Sequence, residues 1–189
     1  FSCRHFYEEG KTNLILCKGK TTANKTASEI YNWIDHDIKN DEVNLIQRYI
    51  DEEMGCTSLF SKLLGRGIAV HHAGLSDEVK LLTEHLIRKG LVNYVCATTT
   101  IAEGVNFPVS SVYFDTYQRG KNNILSANDF WNIAGRAGRT MVDDFGKIIL
   151  PFNSEKNIET GIEILRKVAE ELINVLSEGF VDREYVLNT

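Results

Sequence analysis

Proline is scarce in this chain. Only Pro108 and Pro151 occur among 189 residues, so no proline-rich linker divides it, and its size fits one domain with room for a small appendage. No apolar run approaches the ~18 residues that a membrane-spanning helix needs, which argues against a membrane partner. The first residues lack the basic, apolar and small-residue order of a secretory signal. The four cysteines, Cys3, Cys17, Cys56 and Cys96, show no CxxC spacing. Cys17 and Cys96 sit within apolar runs, where a reduced, buried thiol is expected. These features point to a cytoplasmic setting, or a nuclear one in a eukaryote. An excess of basic charge is missing too, since the formal net charge is -5. A protein that coats nucleic acid is usually basic, whereas one that touches a few phosphates on one face need not be. What the chain has is ordinary for a folded domain: 43% hydrophobic and 25% charged residues, which excludes disorder.

A nucleotide-binding P-loop is also absent. Gly19-Lys20-Thr21 suggests one, but GxxxxGK[ST] needs a glycine where Leu14 stands. The triplet reads instead as a strand-to-helix turn carrying one useful lysine. Metal-ligand spacing is lacking in the same way. His71 and His72 are adjacent, and adjacent residues on a strand point to opposite faces, a poor arrangement for one ion. The acidic run Asp51-Glu52-Glu53 reads as the solvated side of an amphipathic helix.

Strand patterns alternate with helical ones. Leu14–Cys17, Gly67–His71, Val92–Ala97, Val109–Asp115 and Phe145–Leu150 read as strands. Helices are expected after Lys18–Thr22 through Trp33, in one or two pieces between Asp35 and Gly65, over Ser76–Arg88 and over Ser126–Arg136. Ser76 and Ser126 stand as N-caps, and Asp129 takes the capping-box position. A long amphipathic helix is expected over Glu155–Glu178, with Ile158, Ile162, Leu165, Ala169, Leu172, Ile173 and Leu176 marking one face. Such alternation predicts an α/β fold with a central parallel sheet and right-handed crossovers. Ligands of such sheets gather at the carboxyl ends of the strands, where Lys18–Thr22, His71–Gly74 and Thr98–Gly104 fall.

The stretch Tyr94–Arg139 carries the most chemistry. A short apolar run leads into Thr98-Thr99-Thr100 and then Gly104, which reads as a buried strand delivering polar groups to an edge. Arg136 and Arg139 each follow a glycine and read as charged donors whose small neighbours let another surface approach. They are expected near the rim of strand tips. Plainer alternatives stand beside these: the threonines as turn hydroxyls, Asn106 as a turn residue before Phe107-Pro108, and the arginines as helix-end caps.

Taken together, these residues resemble a known family. Thr98-Thr99-Thr100-Ile101-Ala102-Glu103-Gly104-Val105-Asn106-Phe107-Pro108 resembles motif V of superfamily-two helicases, and Asn132-Ile133-Ala134-Gly135-Arg136-Ala137-Gly138-Arg139 resembles motif VI. His71-His72-Ala73-Gly74-Leu75 is similar to the HHAGL element of superkiller-type DExH/DEAD-box helicases, and Leu14–Thr21 sits where motif IV belongs. Asn132 stands where the family opens motif VI with glutamine, and Gly19-Lys20 where motif IV carries serine and arginine.

The resemblance implies the second RecA-like domain of such a helicase, with motifs IV, V and VI. That domain would cover residues 1–152, with a helical insertion at about 35–65. Residues 153–189 would form a helical extension leading to further domains. It implies that Arg136 and Arg139 serve as catalytic arginine fingers toward ATP held mainly by a missing N-terminal RecA-like domain, which would also hold Mg²⁺. Gly104 and Asn106 would approach the nucleotide with them. Thr98, Thr99, His72, Gly74 and Lys20 would touch the backbone of DNA or RNA. No DExH box occurs in the sequence, so the chain alone is expected to hydrolyse nothing. The alternative is a non-catalytic, helicase-like scaffold that binds protein or RNA.

Overall fold

The computed structural model describes residues 11–102, 109–119, 123–138, 145–150 and 154–187. Strand β1 (Asn13–Cys17) lies at the centre of the sheet and is wholly buried. Its run Leu14-Ile15-Leu16-Cys17 is apolar on both faces, as a central parallel strand covered on two sides must be. β2 (Ile68–His71), β3 (Tyr94–Thr98) and β4 (Ser111–Phe114) follow in the chain. A two-stranded antiparallel ribbon, β5 (Gln118–Arg119) with β6 (Asn123–Ile124), stands apart from the main sheet. β7 (Lys147–Ile149) completes a five-stranded sheet of order β2-β3-β1-β4-β7 in which every pairing is parallel.

Helices cover both faces. α1 (Lys20–Tyr31) places Ala23, Ala27 and Ile30 against Ile15, Cys17, Val70 and Cys96. On the other face Leu14, Leu16, Val95 and Val112 pack with α2 (Asp41–Met54), α4 (Asp77–Arg88), α5 (Ala127–Ala134) and the start of α6 (Glu155–Leu187). The short α3 (Leu59–Gly65) sends Leu63 to one layer and Leu64 to the other. The excursion between 35 and 65 thus holds α2 and α3, and α2 buries Val43, Ile46 and Ile50 in the main core.

Local chemistry sets the helix ends. Asn40 accepts from the N–H groups of Glu42 and Val43 to start α2, and Gly55 at φ 67° ends it. Asp51 accepts from the Ser58 N–H at 2.7 Å, which holds its carboxyl below the usual range and closes the turn into α3. Ser76 caps α4, with Asp77 and Glu78 in the first turn. Ser126 and Asp129 form the expected capping box at the start of α5. Cys17 and Cys96 are buried thiols and Cys56 is an exposed one. Burial, with Asp115 adding to it, pushes the Cys17 thiol up to about 12. Among the described residues no helix is long and apolar enough to cross a membrane.

α6 docks through Gly161, Ile164 and Val168, whereas Ile158, Ile162, Leu165, Leu172 and Ile173 lie in the open, 37% to 63% exposed. The reason is the shape of the wall it meets. The Tyr117 ring lies against Gly161, where an added Cβ would sit 2.6 Å from the Tyr117 hydroxyl oxygen. Only the face bearing a glycine can approach that closely. The helix also continues past Glu178 to Leu187.

Candidate functional site

At the carboxyl ends of the strands the chain gathers polar side chains from three loops. Lys20 opens α1, whose N-cap Gly19 makes no side-chain cap bond. His72 and Gly74 follow β2, and Thr98 ends β3 opposite Cys17 in the register. Lys20, His72 and Gly74 meet. A Cβ on Gly74 would lie 3.2 Å from the His72 ring and 3.7 Å from Lys20 Cδ. The Gly74 N–H donates to His72 Nδ1 at 3.1 Å, and His72 Nε2 faces Asn24 Oδ1 at 3.1 Å. Burial, with Lys20, Lys80 and His71 nearby, holds the His72 pKa below its ordinary value. Thr98 is buried at 8% exposure, and Thr99, half-buried, begins the 3₁₀ turn Thr99–Ala102.

The adjacent histidines separate as strand alternation requires. His72 turns toward α1 and meets the Phe60 ring edge-on, with centroids 6.2 Å apart. His71 turns the other way, toward α4, where its Nε2 lies 3.0 Å from Glu84 Oε1 in a buried pair. Arg88 approaches the second Glu84 oxygen at 3.8 Å.

Arg136 lies elsewhere. It follows the end of α5, and its carbonyl accepts from the Val109 N–H at 2.9 Å. The Gly138 N–H in turn donates to the Val109 carbonyl at 2.7 Å. Val109 precedes β4, and its neighbour Ser110 donates to the Thr12 carbonyl just before β1. Arg136 is therefore at the amino end of the sheet, the opposite end from Lys20, Gly74 and Thr98, and not at the rim of strand tips. The topology requires this, because a crossover helix returns the chain to the start of the next parallel strand. Its side chain is half-buried, and burial lowers its pKa without removing its charge.

The glycines beside it work within the fold. Gly138 has φ 91° and its Cβ position lies 3.0 Å from the Gly146 nitrogen. A Cβ on Gly146 would fall 2.4 Å from the backbone of Ala137. The surface that approaches these small residues is the chain's own segment leading into β7. Gly104, Asn106 and Arg139 lie outside the described residues.

Sequence reasoning passed over Asn24, Glu84 and Lys80. Asn24 had a signal: it stands one helical turn after Lys20, so both share a face of α1. Glu84 and Lys80 read as ordinary exposed charges of an amphipathic helix.

Residues 5–141 match the helicase conserved C-terminal domain. The chain belongs to that family. As a helicase C-terminal domain it has the RecA-like architecture, with its parallel sheet between helical layers. Its relatives are superfamily-two helicases. It is 40% identical over 114 residues to the antiviral helicase SKI2 of Saccharomyces cerevisiae, covering 58% of this chain and 9% of that protein. It is 32% identical over 139 residues to the exosome RNA helicase MTR4 of Homo sapiens, covering 66% and 13%. It is 28% identical over 185 residues to the ATP-dependent DNA helicase Hel308 of Pyrococcus horikoshii, covering 95% and 26%. The chain therefore spans only 9% to 26% of the length of these relatives.

Proposed function

We propose that this helicase C-terminal domain is the second motor domain of an ATP-dependent nucleic-acid helicase or translocase. The observation that carries the reading is the gathering of Lys20, Gly74 and Thr98 at one end of the sheet, with Arg136 held at the other. The carboxyl end offers a lysine and loop backbone to phosphates, contacts that position a strand without reading its sequence. The amino end offers a permanently charged, planar guanidinium, suited to developing phosphoryl charge across a domain cleft.

The residues present fit part of a nucleotide site and no more. Arg136, with Arg139, Gly104 and Asn106, would face ATP, while the sequence has neither a P-loop nor a DExH box to seat it. ATP and Mg²⁺ would be held mainly by an N-terminal RecA-like domain, and ATP would supply there a phosphoanhydride for hydrolysis. On this reading residues 1–152 form the motor unit, with 153–189 leading on to other domains, and the isolated chain neither hydrolyses ATP nor unwinds a duplex. Its compartment would be the cytoplasm, or the nucleus in a eukaryote.

The test uses a polypeptide that contains both motor domains. ATP turnover with a saturating oligonucleotide is measured for wild type, Arg136→Ala and Arg139→Ala. Each substitution should cost on the order of 10³ in rate while oligonucleotide binding survives. Unchanged turnover in both would contradict the arginine assignment. A second reading, a non-catalytic scaffold, draws support from the apolar stripe left open on α6. It predicts tight protein or RNA binding by this domain alone, indifferent to either arginine.

A further inference from the structure

We propose that His72 is a positioning residue that fixes the spacing of the two nucleic-acid loops, and is not itself a phosphate ligand. The inference rests on the reading of the carboxyl-end surface given above. Its first support is access: His72 is 4% exposed, and its ring lies beneath the loop and not on it. Its second is valence. The Gly74 N–H donates to Nδ1, so Nδ1 holds the lone pair and Nε2 carries the proton. That proton points at Asn24 Oδ1, an acceptor. A neutral imidazole in a single tautomer thus spends both nitrogens, and no polar atom remains for a phosphate.

Those two bonds join the elements that carry the surface. One reaches the backbone of the loop after β2; the other reaches α1 one turn beyond Lys20. The stem of Lys20 lies over Gly74, within 3.7 Å of where a Cβ would be. His72 therefore sets how far the Lys20 ammonium stands from the Gly74 backbone. Two lysines face it, Lys20 on α1 and Lys80 on α4, while the neighbouring His71 on β2 is paired with Glu84. The Phe60 ring of α3 closes the remaining side. This environment keeps the imidazole neutral, as a two-sided clasp requires.

The test is single-stranded oligonucleotide affinity across a salt titration, in a polypeptide with both motor domains. Variants are His72→Gln, His72→Asn, Asn24→Ala, the His72→Gln/Asn24→Ala double and Lys20→Ala. His72→Gln should weaken binding about tenfold, the equivalent of ~1.4 kcal/mol, with the slope of log K against log salt unchanged. Asn24→Ala should match it, and the double should be no weaker than either single, because one clasp is broken once. His72→Asn, whose Oδ1 can still accept from the Gly74 N–H but cannot reach Asn24, should lose as much as Asn24→Ala. Lys20→Ala should reduce the slope by about 1. A slope reduction of about 1 in His72→Gln would make His72 a ligand and overturn the proposal. So would full affinity in Asn24→Ala, a variant on an accessible turn of helix that keeps the test open should His72 variants fold poorly. An unchanged slope in Lys20→Ala would instead bring down the surface reading itself, and the clasp with it.

Discussion

α4 and α6 look alike as sequences and end in different situations. Both are amphipathic by pattern. α4 buries Val79, Thr83, Leu86 and Ile87 against the sheet, and of its large apolar residues leaves Leu81 outside. α6 buries Gly161, Ile164 and Val168 and leaves its longer apolar stripe in the open. Periodicity states which residues share a face; it does not state which face has a wall to meet. α4 is tethered between β2 and β3, so its rotation is set by strands at both ends. α6 has a described strand only before it, and its rotation follows the closest fit, which is Tyr117 against Gly161.

Substitutions in the two helices can break or sharpen that contrast. Leu86→Ala opens a cavity beneath α4 and should cost about 2–5 kcal/mol in chemical denaturation, with the whole domain unfolding as one. Gly161→Leu wedges α6 off Tyr117 and should cost about 1–3 kcal/mol, with hydrogen exchange in α6 rising before that of β1. Equal loss of protection in both would show that α6 is as integral as α4. A proton-linked effect separates the sheet's carboxyl end from both helices. Burial holds the His72 imidazole below its ordinary 6.5, so the unfolded chain takes the proton more readily. Its contribution to stability is complete above about pH 6.5 and is lost as pH falls through and below that value. Denaturant midpoints at pH 7.5 and 5.5 should therefore diverge less in His72→Asn than in wild type. Smallest of all should be Ile162→Glu on the open stripe, within about 0.5 kcal/mol of wild type. A loss above ~2 kcal/mol there would mean the stripe is covered in solution.

Much of the architecture was legible because local rules agreed with the global answer. The continuous apolar run Leu14–Cys17 could only be a strand buried on two faces. Ser126 with Asp129 announced the start of α5, and Ser76 that of α4. The site was read less completely. Lys20, His72 and Gly74 fall at strand ends by simple counting, but their mutual contact depends on Asn24, which no motif marks. Arg136 was expected at the strand tips because its chemistry suits phosphate, although the crossover through α5 delivers it to the other end. The glycines of the Gly-Arg pairs looked like room for a partner, yet Gly138 is spent on Gly146. In each case the residue type announced a capability, and tertiary packing decided where it was exercised.

The sheet's carboxyl end is the surface proposed to hold nucleic acid. Hydrogen exchange of a polypeptide with both motor domains, with and without a single-stranded oligonucleotide and a non-hydrolysable ATP analogue, tests that directly. The expected result is slowed exchange at 18–21, 72–75 and 98–102 with oligonucleotide, and at 135–138 with nucleotide. Protection confined to the open stripe of α6, or to the apolar groove of about 730 Å³ around Leu45, Tyr49 and Leu81, with the strand-end loops unchanged, would contradict it.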